Sequence, residues 1–134
     1  MMRAVLLLFL GIVSAHLVRS ANTTREVLLV LPKGDHTLAI VDRSNLKVFA
    51  KAPGWEDLHE VIASSDGKFA YVSNYGGGAY NTLALIDLVA QKALSPIDLG
   101  ALRGPHGLVF AGQKTWFTAE GRRRLDATIL PKDH

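Results

Sequence analysis

The part of the chain that follows residue 21 alternates short apolar runs with turn-forming residues. The runs are rich in β-branched and aromatic residues, and apolar side chains do not recur at helical spacing over any long stretch. The Asp66-Gly67 pair between two of these runs suits the positive φ angles of a tight hairpin. The pattern predicts an all-β fold with strands at Glu26–Leu31, Thr37–Asp42, Lys47–Ala52, Glu60–Ser64, Phe69–Asn74, Thr82–Asp87, Ala93–Asp98, Leu108–Ala111 and Thr115–Ala119.

The runs are also arranged in a repeat. Leu83–Asp87 (LALID) restates Leu38–Asp42 (LAIVD) at an offset of 45 residues. Other matched pairs, at offsets of 42, 46 and 47, are Leu28–Pro32 with Ala70–Asn74, Phe69–Val72 with Thr115–Thr118, and Asp57–Val61 with Gly104–Leu108. A period near 45 residues with strand-like units is typical of β-propeller blades, each a four-stranded antiparallel meander.

The repeat predicts an incomplete ring. The first three strands correspond to the second to fourth of one blade, residues 60–98 form a complete blade, and residues 108–119 give the first two strands of a third. A closed propeller typically needs four to eight blades. Because open blades leave strand edges unpaired, we expect self-association or further blades downstream in a longer protein. Residues 22–121 are the predicted repeat region, and 122–134 a basic tail or a truncated blade.

The first residues have the features of a secretory signal peptide. Met1-Met2-Arg3 gives a positive start, Ala4–Ile12 is apolar, and Val13-Ser14-Ala15 fits a cleavage site. We take residues 1–15 as the signal peptide, with residue 21 as the alternative end. The apolar run is too short to span a bilayer, so the mature chain is expected to have no transmembrane span. The protein is predicted to be exported to the periplasm, the cell surface or the medium.

Charge and cysteine content exclude some functions. Removing residues 1–15 takes away one arginine and lowers the formal net charge from +3 to +2, too small a bias to indicate nucleic-acid binding. The chain has no cysteine, so disulfides, cysteine nucleophiles and cysteine zinc sites are excluded. Neither a cofactor nor a metal is identified by the sequence.

Several motifs resemble the YVTN-type β-propeller repeat. They are Ala70–Asn74, Asn81–Asp87 with its Ile-Asp ending, and Gly104–Leu108 with its Pro-His-Gly loop. The first unit departs from the pattern at Leu28–Pro32. The resemblance covers about Glu26–Gly121 and implies a propeller of the kind found mainly in exported prokaryotic proteins. Such propellers include surface-layer and binding proteins and, in related groups, lactonases, lyases and quinoprotein dehydrogenase subunits.

Five residues are candidates for ligand binding. His59 and His106 occupy the same place in successive repeats, in the loop before an innermost strand, so neighbouring blades would bring them together near the axis of a closed ring. There they would bind a metal, polarise a substrate, or only hold the blade corner. Glu56, Asp57 and Glu60 surround His59. Trp55 lies on the adjoining loop, and Tyr75 and Tyr80 flank a glycine-rich loop that lacks the Lys-Ser/Thr of a phosphate-binding loop.

These observations predict an exported propeller module that binds a protein or a small ligand through its loops, without a catalytic signature. One alternative is part of a propeller enzyme, lactonase-like, lyase-like or quinoprotein-dehydrogenase-like, with the two histidines at the channel mouth. Another is a surface-layer or adhesion component. No catalytic residue is assigned.

Overall fold

A computed structural model describes residues 25–111, 114–120 and 124–129. These residues form antiparallel strands joined by short turns, with one turn of 3₁₀ helix at Gly76–Gly78. Among them there is no helix long and apolar enough to cross a membrane. The strands are β1 (Val27–Val30), β2 (Thr37–Asp42), β3 (Val48–Pro53), β4 (Leu58–Ala63), β5 (Phe69–Asn74), β6 (Thr82–Asp87), β7 (Lys92–Ala93), β8 (Ile97–Asp98), β9 (Pro105–Ala111), β10 (Lys114–Ala119) and β11 (Arg124–Ile129).

The strands form three sheets. Sheet 1 has the order β1-β2-β3, and sheet 3 has the order β9-β10-β11. Sheet 2 is β4-β5-β6, and its fourth position is shared by β7 and β8, both of which pair with β6. In the repeat register β2 and β6 are equivalent, so sheet 1 contributes the second to fourth strands of a blade. The predicted all-β fold of four-stranded antiparallel meanders in an incomplete ring is confirmed.

Some strand boundaries differ from the prediction. The fourth strand of sheet 2 was predicted as Ala93–Asp98, but it is interrupted between β7 and β8, where Pro96 has no N–H to donate to β6. The innermost strands begin earlier than predicted, β4 at Leu58 and β9 at Pro105. His59 and His106 therefore lie in the first residues of these strands and not in the preceding loops. The repeat pattern also gave no strand after Gly121, whereas β11 pairs with β10 along its length.

The core lies between the sheets. Side chains from sheets 1 and 2 meet in one cluster of buried residues, Leu38, Ala52, Leu58, Ala70, Val72, Ala84 and Ile86. Sheets 2 and 3 also pack face to face, with the Phe110 ring edge-on to Tyr71 at 5.5 Å between ring centroids. Burying a large aliphatic side chain contributes about 1.5–3 kcal/mol, so this packing holds the sheets in blade-like order. It also places the two innermost strands, β4 and β9, side by side.

Hairpin turns at one end of the sheets share an aspartate. The Asp42 carboxylate accepts the Ser44 N–H at 2.8 Å, and the Asp87 carboxylate accepts the Val89 N–H at 2.9 Å. Asp66 accepts the Lys68 N–H at 3.0 Å, and Gly67 beside it has φ +71°. Such aspartate turns fix where each strand reverses direction. We call this end of the sheets the lower end, and the opposite end, where β4 and β9 begin, the upper end.

Candidate functional site

The candidate site lies at the upper end, where sheets 2 and 3 meet. His59 comes from the start of β4, and His106 comes from the start of β9. Tyr75 follows the last residue of β5 and begins the loop that leads to β6. Because β4 and β9 are adjacent first strands, the repeat places both histidines at one level.

The three rings are in mutual contact. The His59 and His106 ring centroids are 4.2 Å apart, with the ring planes tilted by 46°. Tyr75 lies 5.2 Å from His59 and 5.4 Å from His106, and it meets His106 edge to face at 88°. We call His59, Tyr75 and His106 the ring cluster. The structure thus brings together His59 and His106, which the repeat predicts on neighbouring blades, and Tyr75, which the sequence singles out only beside the glycine loop.

Glu60 supplies a carboxylate beside the ring cluster. Its Oε1 atom lies 3.5 Å from His106 Nδ1, and its Oε2 atom accepts the Leu108 N–H at 3.3 Å. The backbone hydrogen bond comes from the neighbouring sheet, so it orients the carboxylate toward His106. The side chains of Glu60 and His106 are 40% and 30% exposed, which leaves this edge of the cluster open to solvent.

Glu120 holds the tyrosine of the cluster. The Tyr75 hydroxyl donates to Glu120 Oε2 at 2.8 Å. The hydrogen bond to this carboxylate is the main cause that raises the pKa of Tyr75 above its usual value, with burial and nearby carboxylates adding to it. The phenol therefore stays neutral and acts as a donor at physiological pH.

One polar atom of the cluster is buried without a partner. His59 Nδ1 is closed off from solvent and has no hydrogen-bond partner among the described residues. Leaving a buried polar atom unsatisfied typically costs about 1–3 kcal/mol. Hydrogen bonding or metal coordination at Nδ1 itself would remove this cost.

The glycine loop next to the cluster is well ordered by hydrogen bonds. Gly76, Gly77 and Gly78 have φ of +55°, +60° and +89°, a run of conformations that L-amino acids with side chains rarely adopt. The Gly77 N–H donates to Asp57 Oδ2 at 3.1 Å, which ties the loop to the segment before β4. This tie keeps Tyr75 against the histidines.

The other two predicted residues lie outside the ring cluster. Tyr80 is exposed, and its hydroxyl donates to Glu56 Oε2 at 2.9 Å. Trp55 packs against the core between sheets 1 and 2. Glu60 is predicted from the sequence as one of three carboxylates around His59, and Glu120 is not predicted. The repeat itself could have indicated Glu120, because it follows β10 as Tyr75 follows β5, 45 residues earlier.

An open groove also exists at the lower end, but the charged groups that line it are paired with one another. This open groove of about 1010 Å³ lies beside the ends of β1 and β2. Its charged groups are already paired, Asp42 with Arg25 and Ser44, and Arg43 with Glu26. The upper end, with an unpartnered imidazole and an accessible carboxylate, is therefore the better candidate.

The fold and the stacked innermost strands define a β-propeller, and comparison with known structures agrees. Hydrazine synthase from Kuenenia stuttgartiensis superposes with a TM-score of 0.67 and 19% identity, over 77% of this chain and 29% of that one. The dihydro-heme d1 dehydrogenase NirN superposes with a TM-score of 0.62 and 21% identity, over 77% of this chain and 22% of that one. Both are β-propeller-containing proteins.

These likenesses concern the fold alone. The chain spans less than a third of the length of either structure. No family model matches the chain, and no curated protein matches it either.

Proposed function

We propose that the chain is a propeller binding module whose ligand site is the ring cluster at the upper end. The observation that carries this proposal is the contact between His59 and His106, which come from different sheets and lie 4.2 Å apart. Imidazole and phenol groups bind small polar ligands by hydrogen bonding and by stacking. The open edge beside Glu60 gives such a ligand a route to the rings.

A titration followed by amide NMR tests this site. The ¹⁵N-labelled chain is titrated with a panel of small carboxylic acids, phosphate esters and aromatic acids in buffer containing EDTA. We expect at least one compound to shift the signals of the ring cluster and not those of the lower groove. Shifts confined to the lower groove, or none with any compound, contradict the proposal.

A tyrosine pair supplies the matched variants. Tyr75→Ala removes a ring of the cluster, whereas Tyr80→Ala removes an exposed ring from the same loop. We expect about a tenfold loss of affinity for the first and less than a twofold change for the second. Equal effects of the two variants count against a site at the ring cluster.

We also propose that the module is exported and belongs to the YVTN type. The support is the signal-peptide pattern of residues 1–15 and the motifs Ala70–Asn74 and Gly104–Leu108. The mass of the protein recovered from the periplasm or medium tests the export. A chain that begins at His16 is expected, and a full-length chain confined to the cytoplasm contradicts it.

A second candidate is a propeller enzyme, and the closeness of Glu60 to His106 favours it. A carboxylate beside an imidazole is a common arrangement for general acid and base catalysis. Turnover of lactone substrates by an assembled form, compared with its His59→Ala/His106→Ala double variant, tests this candidate. Unchanged turnover in the double variant excludes a catalytic role for the histidines.

A further inference from the structure

We propose that His59, Glu60 and His106 bind a divalent transition-metal ion of the zinc class. This inference rests on the proposed site and names a ligand class for it. One ring nitrogen of each histidine and one carboxylate oxygen of Glu60 all lie within 4.8 Å of one another. Two imidazoles and a carboxylate are a donor set that zinc commonly takes in proteins.

The distances fit closure around an ion. Ligand atoms at about 2.0–2.2 Å from a tetrahedral ion lie about 3.4 Å from one another. The three donor atoms lie within 4.8 Å of one another, so each pair needs to come closer by no more than about 1.4 Å to reach that spacing. Rotation of the side chains can supply this change. β4 is paired with β5 and β9 with β10, so each sheet holds the backbone of its ligand residues while the side chains adjust.

The surroundings already orient the donors. The Leu108 N–H binds Glu60 Oε2 at 3.3 Å and leaves Oε1 toward His106. Hydrogen bonds of this kind to a ligating carboxylate are a regular feature of metal sites, since they fix its direction. The buried Nδ1 of His59 has no partner among the described residues, and a metal ion bound through Nδ1 itself would remove that deficit.

The other groups near the cluster leave room for a fourth ligand. The Tyr75 hydroxyl is engaged in its hydrogen bond to Glu120, so we do not count it among the ligands. Three protein ligands leave a tetrahedral ion with one open position, which water or a bound anion occupies in such sites. The 30% and 40% exposure of His106 and Glu60 places that position at the solvent-accessible edge.

The test is calorimetric titration of the folded chain with ZnCl₂, accompanied by visible absorption spectra with CoCl₂. We expect one Zn²⁺ per chain and the intense visible bands of tetrahedral Co²⁺. In addition, the imidazole NMR signals of His59 and His106 should move on zinc addition while those of His36 stay. No binding, or octahedral Co²⁺ spectra with movement at His36 instead, overturns the proposal.

Matched variants localise the binding. Glu60→Gln and His106→Asn each remove one ligand, and we expect each to weaken zinc binding by about a hundredfold. Glu56→Gln and His36→Asn are the controls, because both residues are exposed and lie outside the cluster. Since Asn tolerates the φ of +50° at His36, the His36→Asn control should keep the backbone conformation of the wild-type chain. Equal zinc affinity of all four variants contradicts the assignment.

The outcome is separable from that of the proposed function. Organic ligands are titrated in EDTA, whereas zinc is titrated without any organic ligand. If the chain does not bind zinc but an organic compound still shifts the NMR signals of the ring cluster, the metal inference alone is overturned. Zinc binding without binding of any organic compound supports the metal inference and contradicts only the proposal that the site takes a small organic ligand.

Discussion

Individual side chains fix the turns at the lower end, and Asp66 is the clearest case. Its carboxylate accepts hydrogen bonds from the Ser64 hydroxyl at 2.6 Å and from the Lys68 N–H at 3.0 Å. These bonds hold the pKa of Asp66 below its ordinary value of 3.8, and the bond from the Ser64 hydroxyl has the largest effect. A carboxylate with a lowered pKa in the folded state stabilises the fold above its unfolded pKa, and protonation removes that contribution.

The first prediction concerns acid stability. As the pH falls below about 4 and through the folded pKa of Asp66, the wild-type chain should lose part of its resistance to urea. Asp66→Asn should lower the resistance to urea at pH 6. The resistance of this variant should then fall less steeply between pH 6 and pH 3 than that of the wild-type chain. Urea unfolding followed by circular dichroism at both pH values measures this. Ser64→Ala, which removes the main cause of the shift, should have the same effect, and an unchanged pH slope in both variants refutes it.

The second prediction concerns the close approach of a glycine to the backbone. Gly54 donates its N–H to His36 O at 2.9 Å, and a Cβ at this position would lie 3.0 Å from the same oxygen and against Leu58. Gly54→Ala should therefore lower the free energy of unfolding by about 1–3 kcal/mol. Gly107→Ala is the control, because its Cβ would meet only Thr118 Oγ1 at 3.7 Å. Chemical unfolding of both variants measures the difference, and equal stability contradicts the steric argument.

At the scale of the elements, the docking of sheet 1 on sheet 2 depends on the buried cluster between them. Leu38, in β2, is fully buried, whereas Val89, in the turn after β6, is 74% exposed. Leu38→Ala should lower the free energy of unfolding by about 2–5 kcal/mol, because it leaves a cavity between sheets 1 and 2. Val89→Ala should change it by less than about 0.5 kcal/mol. Thermal and urea unfolding test this contrast, and a small effect of Leu38→Ala indicates that the two sheets do not pack as described.

The sequence predicts strands well where local chemistry decides them. β2, β5 and β6 have the predicted bounds, since apolar runs end there at an aspartate or asparagine next to a turn. β11 is not among the predicted strands, because residues 122–134 lack the repeat motif and are predicted as a basic tail or a truncated blade. In Arg124–Ile129 apolar and polar residues alternate, the ordinary pattern of a strand.

The candidate site was predictable in part for a similar reason. The repeat register alone places His59 and His106 on neighbouring first strands, and the structure puts their rings in contact. The partner of Tyr75 depends on which loop folds over which, and that is decided by tertiary packing. Glu120 meets Tyr75 across 45 residues of sequence, so no local pattern indicates the contact, and only the repeat register places the two residues after equivalent strands.

At the scale of the whole molecule, the described sheets leave strand edges open. β1 is at the edge of sheet 1 and carries Leu28 and Val30, each 42% exposed. Exposed edges with apolar side chains favour pairing with another chain. We therefore predict that the chain comprising residues 16–134 self-associates in solution.

Light scattering on a size-exclusion column tests this prediction. The wild-type chain should give a mass above that of one copy, rising with concentration or fixed at a defined oligomer. Val30→Lys places a charge at the edge of β1 and should shift the mass toward the monomer. Leu46→Lys, at an exposed turn position, is the control and should leave the mass unchanged. A monodisperse wild-type monomer at all concentrations contradicts the prediction.

The ring cluster takes one histidine from sheet 2 and the other from sheet 3. Whatever occupies it is therefore bound only while the two sheets are docked, and by linkage the occupant resists their separation. At a free concentration of a hundred times its dissociation constant, it would add about 2.7 kcal/mol to that docking. If the proposed ligand or metal ion binds at the ring cluster, it would therefore also help to hold two neighbouring blades together.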